Sequence, residues 1–323
     1  MTTTADLSPD PSPTPPAQAG GPSTPPALLV VGDMLLDVVV AGNLAAEREA
    51  AGSVQLYAGG SAANFAVGAA RAGAAVRMVG RVGDDVAGRL LVAELERAAV
   101  QAAIARSPGV PTGSVLVLAN VDGQGGKRMI SEAGASRTLV PADIDPAWCA
   151  GLAGLHLTGY SFLRAGPAPA ARHALALVRA ASPAALCSLD PAPAHLLRDY
   201  GPARVRTLLA ELRFDLLLPN LEEGQVITGK TAPEAVARAL RAWAPLVVVT
   251  LGAAGCLVAG DREPAGRVVH VPAVPGPVVD TTGAGDAFAA GFVVATLRGA
   301  DPVAAAQAGA VAAAAVVGRP GPR

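Results

Sequence analysis

Asp280-Thr281-Thr282-Gly283-Ala284-Gly285-Asp286-Ala287-Phe288 decides how this chain is read. Val278 and Val279 before it read as the end of a strand, and Ala287 to Leu297 after it read as an apolar helix. Gly283–Gly285 therefore fall where a helix begins. A glycine-rich helix entry exposes backbone N–H groups and the positive end of the helix dipole, a setting that suits a phosphate. Asp286 stands one residue further on, where a carboxylate repels that phosphate. The repulsion is tolerable if the carboxylate is a base, taking a proton from an alcohol that attacks the phosphate. The plain alternative is a helix N-terminus with a dangling acid. The stretch points to phosphoryl transfer onto a hydroxyl.

Outward from this motif the chain alternates between short apolar runs and alanine-rich segments of helix length. Ala27-Leu28-Leu29-Val30-Val31, ending at Gly32-Asp33, reads as a buried parallel strand, and further runs lie near 75–79, 153–158, 185–189, 214–218 and 246–251. This alternation predicts an α/β fold with a doubly wound, mostly parallel sheet. In such sheets ligands bind beyond the carboxyl ends of the strands. Two stretches break the rhythm: Leu36–Tyr57 alternates without a long helix, and Gly113–Ala133 reads as strand, Asp122-Gly123 turn, strand. They predict a small β-sheet lid built from segments near 36–58 and 110–133, within one domain over 27–323. Residues 1–26, rich in Pro, Ser, Thr and Gly and without the features of a secretory signal, read as a disordered tail.

Composition narrows the function. The 323 residues suffice for one large domain, 16% are charged, and the net charge is −1, so bulk electrostatics predict no nucleic-acid partner. No apolar run reaches the roughly 18 residues that span a bilayer, so no membrane association is expected. Cys149, Cys187 and Cys256 are scattered, without the spacing of a zinc site or disulfide framework. They read as buried small hydrophobes in a reducing, cytoplasmic setting.

Other motifs carry both a chemical and a bland reading. Gly59-Gly60-Ser61-Ala62-Ala63-Asn64 opens a helix predicted over Ala63–Ala72. Paired glycines let a ligand approach the backbone and Asn64 can bond hydroxyls, though a tight turn with a cap accounts for the same residues. Asp33 and Asp37 follow the first strand and suit sugar hydroxyls, or serve as turn residues. Asn220 and Glu223, three apart, face one way on a starting helix, where the carboxylate can hold waters around Mg²⁺ or merely favour the helix dipole. Thr250-Leu251-Gly252-Ala253-Ala254-Gly255 borders an adenine or ribose, or is a glycine hairpin. Gly224-Gln225-Val226-Ile227-Thr228-Gly229-Lys230-Thr231 satisfies the P-loop pattern, but its surroundings predict a short helix over 221–228 closed by Gly229.

Taken together, the motifs at 59–64 and 280–286 resemble those of the ribokinase-like (phosphofructokinase-B family) carbohydrate kinases. Val79-Gly80-Arg81-Val82-Gly83-Asp84-Asp85, Asp190-Pro191-Ala192, Pro219-Asn220 and the stretch 250–255 fall in the family's order. The resemblance implies Asp286 as catalytic base and Gly283, Ala284 and Gly285 as anion hole. It places Asp37, Gly59, Gly60, Asn64 and Asp286 at the substrate, and Asn220, Thr250, Gly252, Gly255 and Gly285 at ATP. It links Glu223 to Mg²⁺, and Asp280 and Thr282, with Val316, Arg319 and Gly321, to a monovalent cation (K⁺). It implies a homodimer through the lid. Ribokinase has lysine where Ser61 stands and a glutamate where Thr158-Gly159-Tyr160 runs. Both departures count against D-ribose and leave phosphoryl transfer intact. The chain also stops at Arg323, short of one cation-ligand position.

The expected reaction is ATP-dependent phosphorylation of a hydroxyl on a sugar or sugar derivative. A nucleoside kinase of the same fold, for which Tyr57, Phe65 and Phe162 offer aromatic wall, is the alternative. A P-loop NTPase and a non-catalytic sugar-binding module stand behind it. A carboxylated acceptor needs a basic partner, for which Arg128 and Arg164 are the candidates.

Overall fold

The structure, a computed structural model, describes residues 24–42, 52–119, 127–164, 166–260, 267–319 and 321–322. The expected tail falls largely outside these residues, as does the Asp122-Gly123 turn. The strands are β1 (Ala27–Val31), β2 (Leu35–Gly42), β3 (Gly52–Gly59), β4 (Ala75–Gly83), β5 (Gln101–Ser107), β6 (Thr112–Ala119) and β7 (Lys127–Gly134). They continue with β8 (Gly154–Thr158), β9 (Leu186–Asp190), β10 (Leu216–Leu217), β11 (Leu246–Thr250), β12 (Cys256–Gly260) and β13 (Val268–Val271). The helices are α1 (Ser61–Arg71), α2 (Val86–Arg97), α3 (Tyr160–Leu163), α4 (Ala168–Ala181), α5 (Ala194–Tyr200), α6 (Pro202–Leu212), α7 (Leu221–Thr228), α8 (Pro233–Leu240), α9 (Ala284–Leu297) and α10 (Pro302–Val317).

Nine strands form one sheet in the order β13-β12-β11-β10-β9-β8-β1-β4-β5. All neighbours pair in parallel except β12 and β13, which add an antiparallel edge. Every apolar run read as a core strand is one. Successive side chains of a strand face opposite sides, and β1 shows it: Leu29 and Val31 join the core beneath α4, α6 and α8, whereas Leu28 and Val30 join the core beneath α1, α9 and α10. Because both faces are covered, these strands are apolar throughout rather than alternating. The chain leaves β1 toward β4 on one side and returns to β8 on the other, so the order reverses between β1 and β8. That is the topological switch point at which doubly wound sheets open a crevice.

The second sheet has four strands in the order β3-β2-β6-β7. Both segments expected to form a separate sheet do so, and β2 pairs with β6 in parallel, knitting the two hairpin-like halves together. The Asp85 carboxyl fixes the start of β6, accepting from the N–H of Thr112 at 2.7 Å and its hydroxyl at 2.6 Å.

One expectation needs correction, and another is met. Val278 and Val279 are not a strand end: β13 stops at Val271, the segment after it is irregular, and the two valines are 71% and 57% exposed. Their β-branched side chains favour a strand only where a neighbour can pair, and here Val279 N–H bonds instead to Val317 C=O at 2.9 Å. The helix expected across the P-loop pattern is present: α7 is capped by Asn220 and closed by left-handed Gly229 (φ 70°, ψ 11°), leaving Lys230 exposed beyond it. A helical interior cannot turn its N–H groups to a phosphate, so this is no P-loop.

Candidate active site

The carboxyl ends of the parallel strands deliver a row of polar groups to one edge of the sheet. Asp33 follows β1, Thr158 ends β8, Asp190 ends β9, Asn220 follows β10 and Thr250 ends β11. Asp33, Asp190, Asn220 and Thr250 line a cavity of about 590 Å³, whose opposite wall includes Val115, Met129, Ser131 and Ala133 of the second sheet. That volume lies in the range of small-molecule sites.

Two helix N-termini meet at the cavity. α9 is apolar on all sides, the mark of a fully buried helix, and packs between α1 and α10 so closely that a Cβ on Gly68 would stand 2.9 Å from Ala290 Cβ. This anchoring fixes Asp286 in the first turn of α9. From the first turn of α1, Ser61 Oγ donates to Asp286 Oδ1 at 2.7 Å and Asn64 Nδ2 donates to Asp286 Oδ2 at 2.9 Å. The two motifs most distant in sequence thus share one carboxylate. Gly60 makes the join feasible: its φ is 94°, and a Cβ there would lie 2.7 Å from the Asp33 carbonyl oxygen.

The cap of α1 is Asp33 rather than a residue of the glycine motif. Its carboxylate accepts from Ser61 N–H at 2.8 Å and Ala62 N–H at 3.4 Å. Asp37 on β2 is buried, and the Cβ position of Gly59 abuts its carboxylate, so glycine there leaves room for the acid. Asn220 and Glu223 form a complete capping box: Glu223 N–H donates to Asn220 Oδ1 at 2.9 Å, while Asn220 N–H and Nδ2 donate to the Glu223 carboxylate at 2.9 and 2.6 Å. The bland reading of this pair holds, and it holds at the cavity wall.

Of the residues singled out from sequence, Asp37, Gly60, Asn64, Asn220, Glu223, Thr250, Thr282, Gly283, Gly285 and Asp286 line the cavity together. Gly59, Gly252, Gly255, Asp280 and Ala284 do not. Gly252 and Gly255 shape the short 3-10 turn between β11 and β12. The Ala284 N–H donates to the Thr281 carbonyl at 3.2 Å, closing the turn that puts Gly283 and Gly285 on the cavity wall. Asp280 Oδ1 accepts from the Thr282 N–H and hydroxyl at 3.0 and 2.7 Å, and Oδ2 accepts from Gly321 N–H at 3.3 Å, binding the tail to the phosphate-type turn.

The electrostatics follow from crowding acids in a buried crevice. Burial, then the charge of Asp190, raises the Asp286 carboxyl to about 8 against the bonds from Asn64 and Ser61. Burial raises Asp190 to about 6, and burial with the Asp190 charge raises Glu223 to about 9. Asp33 is also pushed up by burial. The Tyr160 phenol, buried among Asp33, Asp190, Asp286 and Glu223, is held firmly protonated and can only donate when it meets an anion. A carboxyl near 8 beside a helix entry suits a general base working near neutral pH. Asp33 and Asp190 were marked in the sequence by their strand-end positions and motifs, but their approach to each other comes from strand adjacency. Tyr160, at the start of α3, carries no such mark.

The sequence and fold match known proteins along their length. The description "pfkB family carbohydrate kinase" matches residues 26–323. The chain is 32% identical over 268 residues to the 2-dehydro-3-deoxygluconokinase of Thermoproteus tenax, covering 81% of this chain and 80% of that one. It superposes on the adenosine kinase of Sinorhizobium meliloti with a TM-score of 0.81 at 24% identity, covering 93% of this chain and 96% of that one. A putative ribokinase II from E. coli in complex with ATP and Mg²⁺ gives a TM-score of 0.79 at 23% identity, covering 93% and 94%. Strand-end acids, two joined helix N-termini and this agreement over most of the chain lead to one conclusion: the protein belongs to the pfkB family and is a carbohydrate kinase.

Proposed function

We propose that the protein transfers the γ-phosphoryl group of ATP to a hydroxyl of a sugar or sugar derivative, with Asp286 as the base. The carrying observation is the pair of hydrogen bonds from Ser61 and Asn64 to Asp286, which puts acceptor-side and phosphate-side motifs on one carboxylate. The acceptor oxygen forms a bond to the γ-phosphorus, the bond from that phosphorus to the bridging oxygen of ADP breaks, and the acceptor proton passes to Asp286. Gly283 and Gly285, at the positive end of α9, stabilise charge on the transferring group. Asp37 and Asn64 orient acceptor hydroxyls; Asn220 and Thr250 flank the nucleotide. The second sheet acts as a lid that excludes water.

Among the described residues no three acidic, histidine or cysteine side chains are arranged to hold a metal alone. The donor set fits Mg²⁺ carried on the nucleotide phosphates, with Asp190 and Glu223 acting on its waters. Bound there, the ion supplies neutralisation of phosphate charge. We extend the reading to K⁺ beside the Asp280 turn, checked by rates in potassium against sodium at equal ionic strength. Exposed Val54, Leu56 and Ile130, on the face of the second sheet opposite the cavity, support a homodimer through the lid, checked by light scattering. Three buried unpaired cysteines favour a cytoplasmic setting; among the described residues no helix is long and apolar enough to cross a membrane.

Asp286→Asn tests the assignment. ADP release with any accepted sugar should fall about 10²- to 10⁴-fold while calorimetry still shows nucleotide binding. Full activity in that variant removes Asp286 as the base.

A further inference from the structure

The cavity is electrically lopsided. Asp33, Asp190, Glu223 and Asp286 occupy its strand-end floor, whereas Arg137 and Arg164 line it near the second sheet. Arg137 lies in the 3-10 turn 135–138 that leaves β7, and Arg164 closes α3, four residues after Tyr160. Of the two arginines considered from sequence, Arg128 is exposed on β7 away from the cavity, and Arg164 is half-buried in its wall.

One carboxylate already reports on this pair. The Glu132 carboxyl is held low, first by the Gly134 N–H, then by the charges of Arg137 and Arg164. Both guanidiniums therefore act electrostatically on one carboxylate at the same end of the cavity. Arg137 is ion-paired with Glu132. Arg164 makes no hydrogen bond or ion pair among the described residues. A half-buried guanidinium facing a cavity matches a planar anion such as a carboxylate. The local balance is two arginines against one glutamate, a net charge of +1, which suits a monoanion better than a doubly charged phosphate ester.

We propose that the acceptor is a sugar acid, its carboxylate held by Arg164 with Arg137, and its hydroxyl end turned to Asp286. The inference rests on the kinase reading above and names its substrate class. A neutral sugar gives Arg164 nothing to bind. The wall there is mixed, with Val115, Met129 and Ala133 beside Ser131 and Ser136, and it is the two arginines that favour a carboxylate over a neutral nucleobase.

Initial rates of ADP release with Mg²⁺ and ATP test it, using 2-keto-3-deoxygluconate, fructose and fructose 1-phosphate as acceptors. The sugar acid should give the highest kcat/KM. Arg164→Gln should raise its KM about 10- to 100-fold, the loss of a charge-assisted hydrogen bond, with a smaller effect on kcat; Arg164→Lys should restore part of it. Glu132→Gln, which removes the competing carboxylate, should lower the KM. These opposite signs separate electrostatic recognition from a structural role. Preference for fructose or its phosphate, or an unchanged KM in Arg164→Gln, overturns the sugar-acid assignment and leaves the kinase reading standing. If no acceptor releases ADP, the kinase reading fails. Calorimetric titration of the sugar acid then still decides this inference: binding lost in Arg164→Gln supports it, and absent or unchanged binding overturns it.

Discussion

Replacing Ser61 by alanine removes one of the two donors that stabilise ionised Asp286, and its effect has a calculable sign. The bond from Ser61 Oγ to Asp286 Oδ1 is 2.7 Å long and favours the charged carboxylate. A hydrogen bond to a charged group contributes about 1.5–3 kcal/mol; because Ser61 is half-exposed and water can replace it, we take the lower end. At about 1.4 kcal/mol per pH unit, the carboxyl should move up by about one unit from its value near 8. The base must be ionised to work, so kcat/KM rises with pH along the acid limb in both proteins. Near pH 7 the ionised fraction drops from about a tenth to about a hundredth, and the variant should be about tenfold slower. By pH 10 the two rates should converge. Bound nucleotide and Mg²⁺ displace both inflections together, so the difference between them is the quantity to read, from ADP release between pH 6 and 10. Superimposable profiles, a pH-independent loss, or an inflection that moves down would each refute the reasoning.

Other outcomes follow from the same geometry. Lys230→Ala should leave ADP release unchanged, because Lys230 is exposed beyond the end of α7; a collapse of activity would revive the P-loop reading. Gly283→Ala should lower the melting temperature and nearly abolish turnover: φ is 76°, which costs an alanine about 1–2 kcal/mol, and its Cβ would collide with the Pro322 carbonyl. Thermal stability of the ligand-free protein should fall as pH rises from about 4 to 9. Asp190, Asp286 and Glu223 have folded values above the ordinary carboxylate range, so the native state holds protons the unfolded chain has released, and their neutral burial is progressively penalised. Melting curves in Asp286→Asn should show a shallower decline, and an equal slope would contradict Asp286's share.

What could be read from the sequence follows from the range of the forces involved. The core strands were legible because strands covered on both faces must be apolar along their length, as Leu28–Val31 are. The separate sheet was legible because its strands lie next to one another in sequence or alternate visibly. Asp286 stood out because glycines and an acid at a helix entry conflict unless chemistry needs them. Val278-Val279 misled because strand propensity says nothing about whether a partner strand is present. Asp33 was open between cap and ligand until β8 was placed beside β1, where Thr158 donates to it at 3.4 Å. Asp190 and Tyr160 gained their meaning the same way, from neighbours on other elements of the sheet.

The strand-end acids and the second sheet also differ in what a mutation there can change. Asp33, Asp190 and Asp286 are set by the parallel sheet and by α9, elements buried in the core. Val115, Met129 and Ser131, by contrast, belong to a sheet with its own hydrogen-bond ladder, joined to the core through short links at Leu35, Gly59, Thr112 and Gly134. A lineage can therefore retune the acceptor end of the site by changing these four strands and the arginines beside them, without disturbing the machinery that moves the phosphorus.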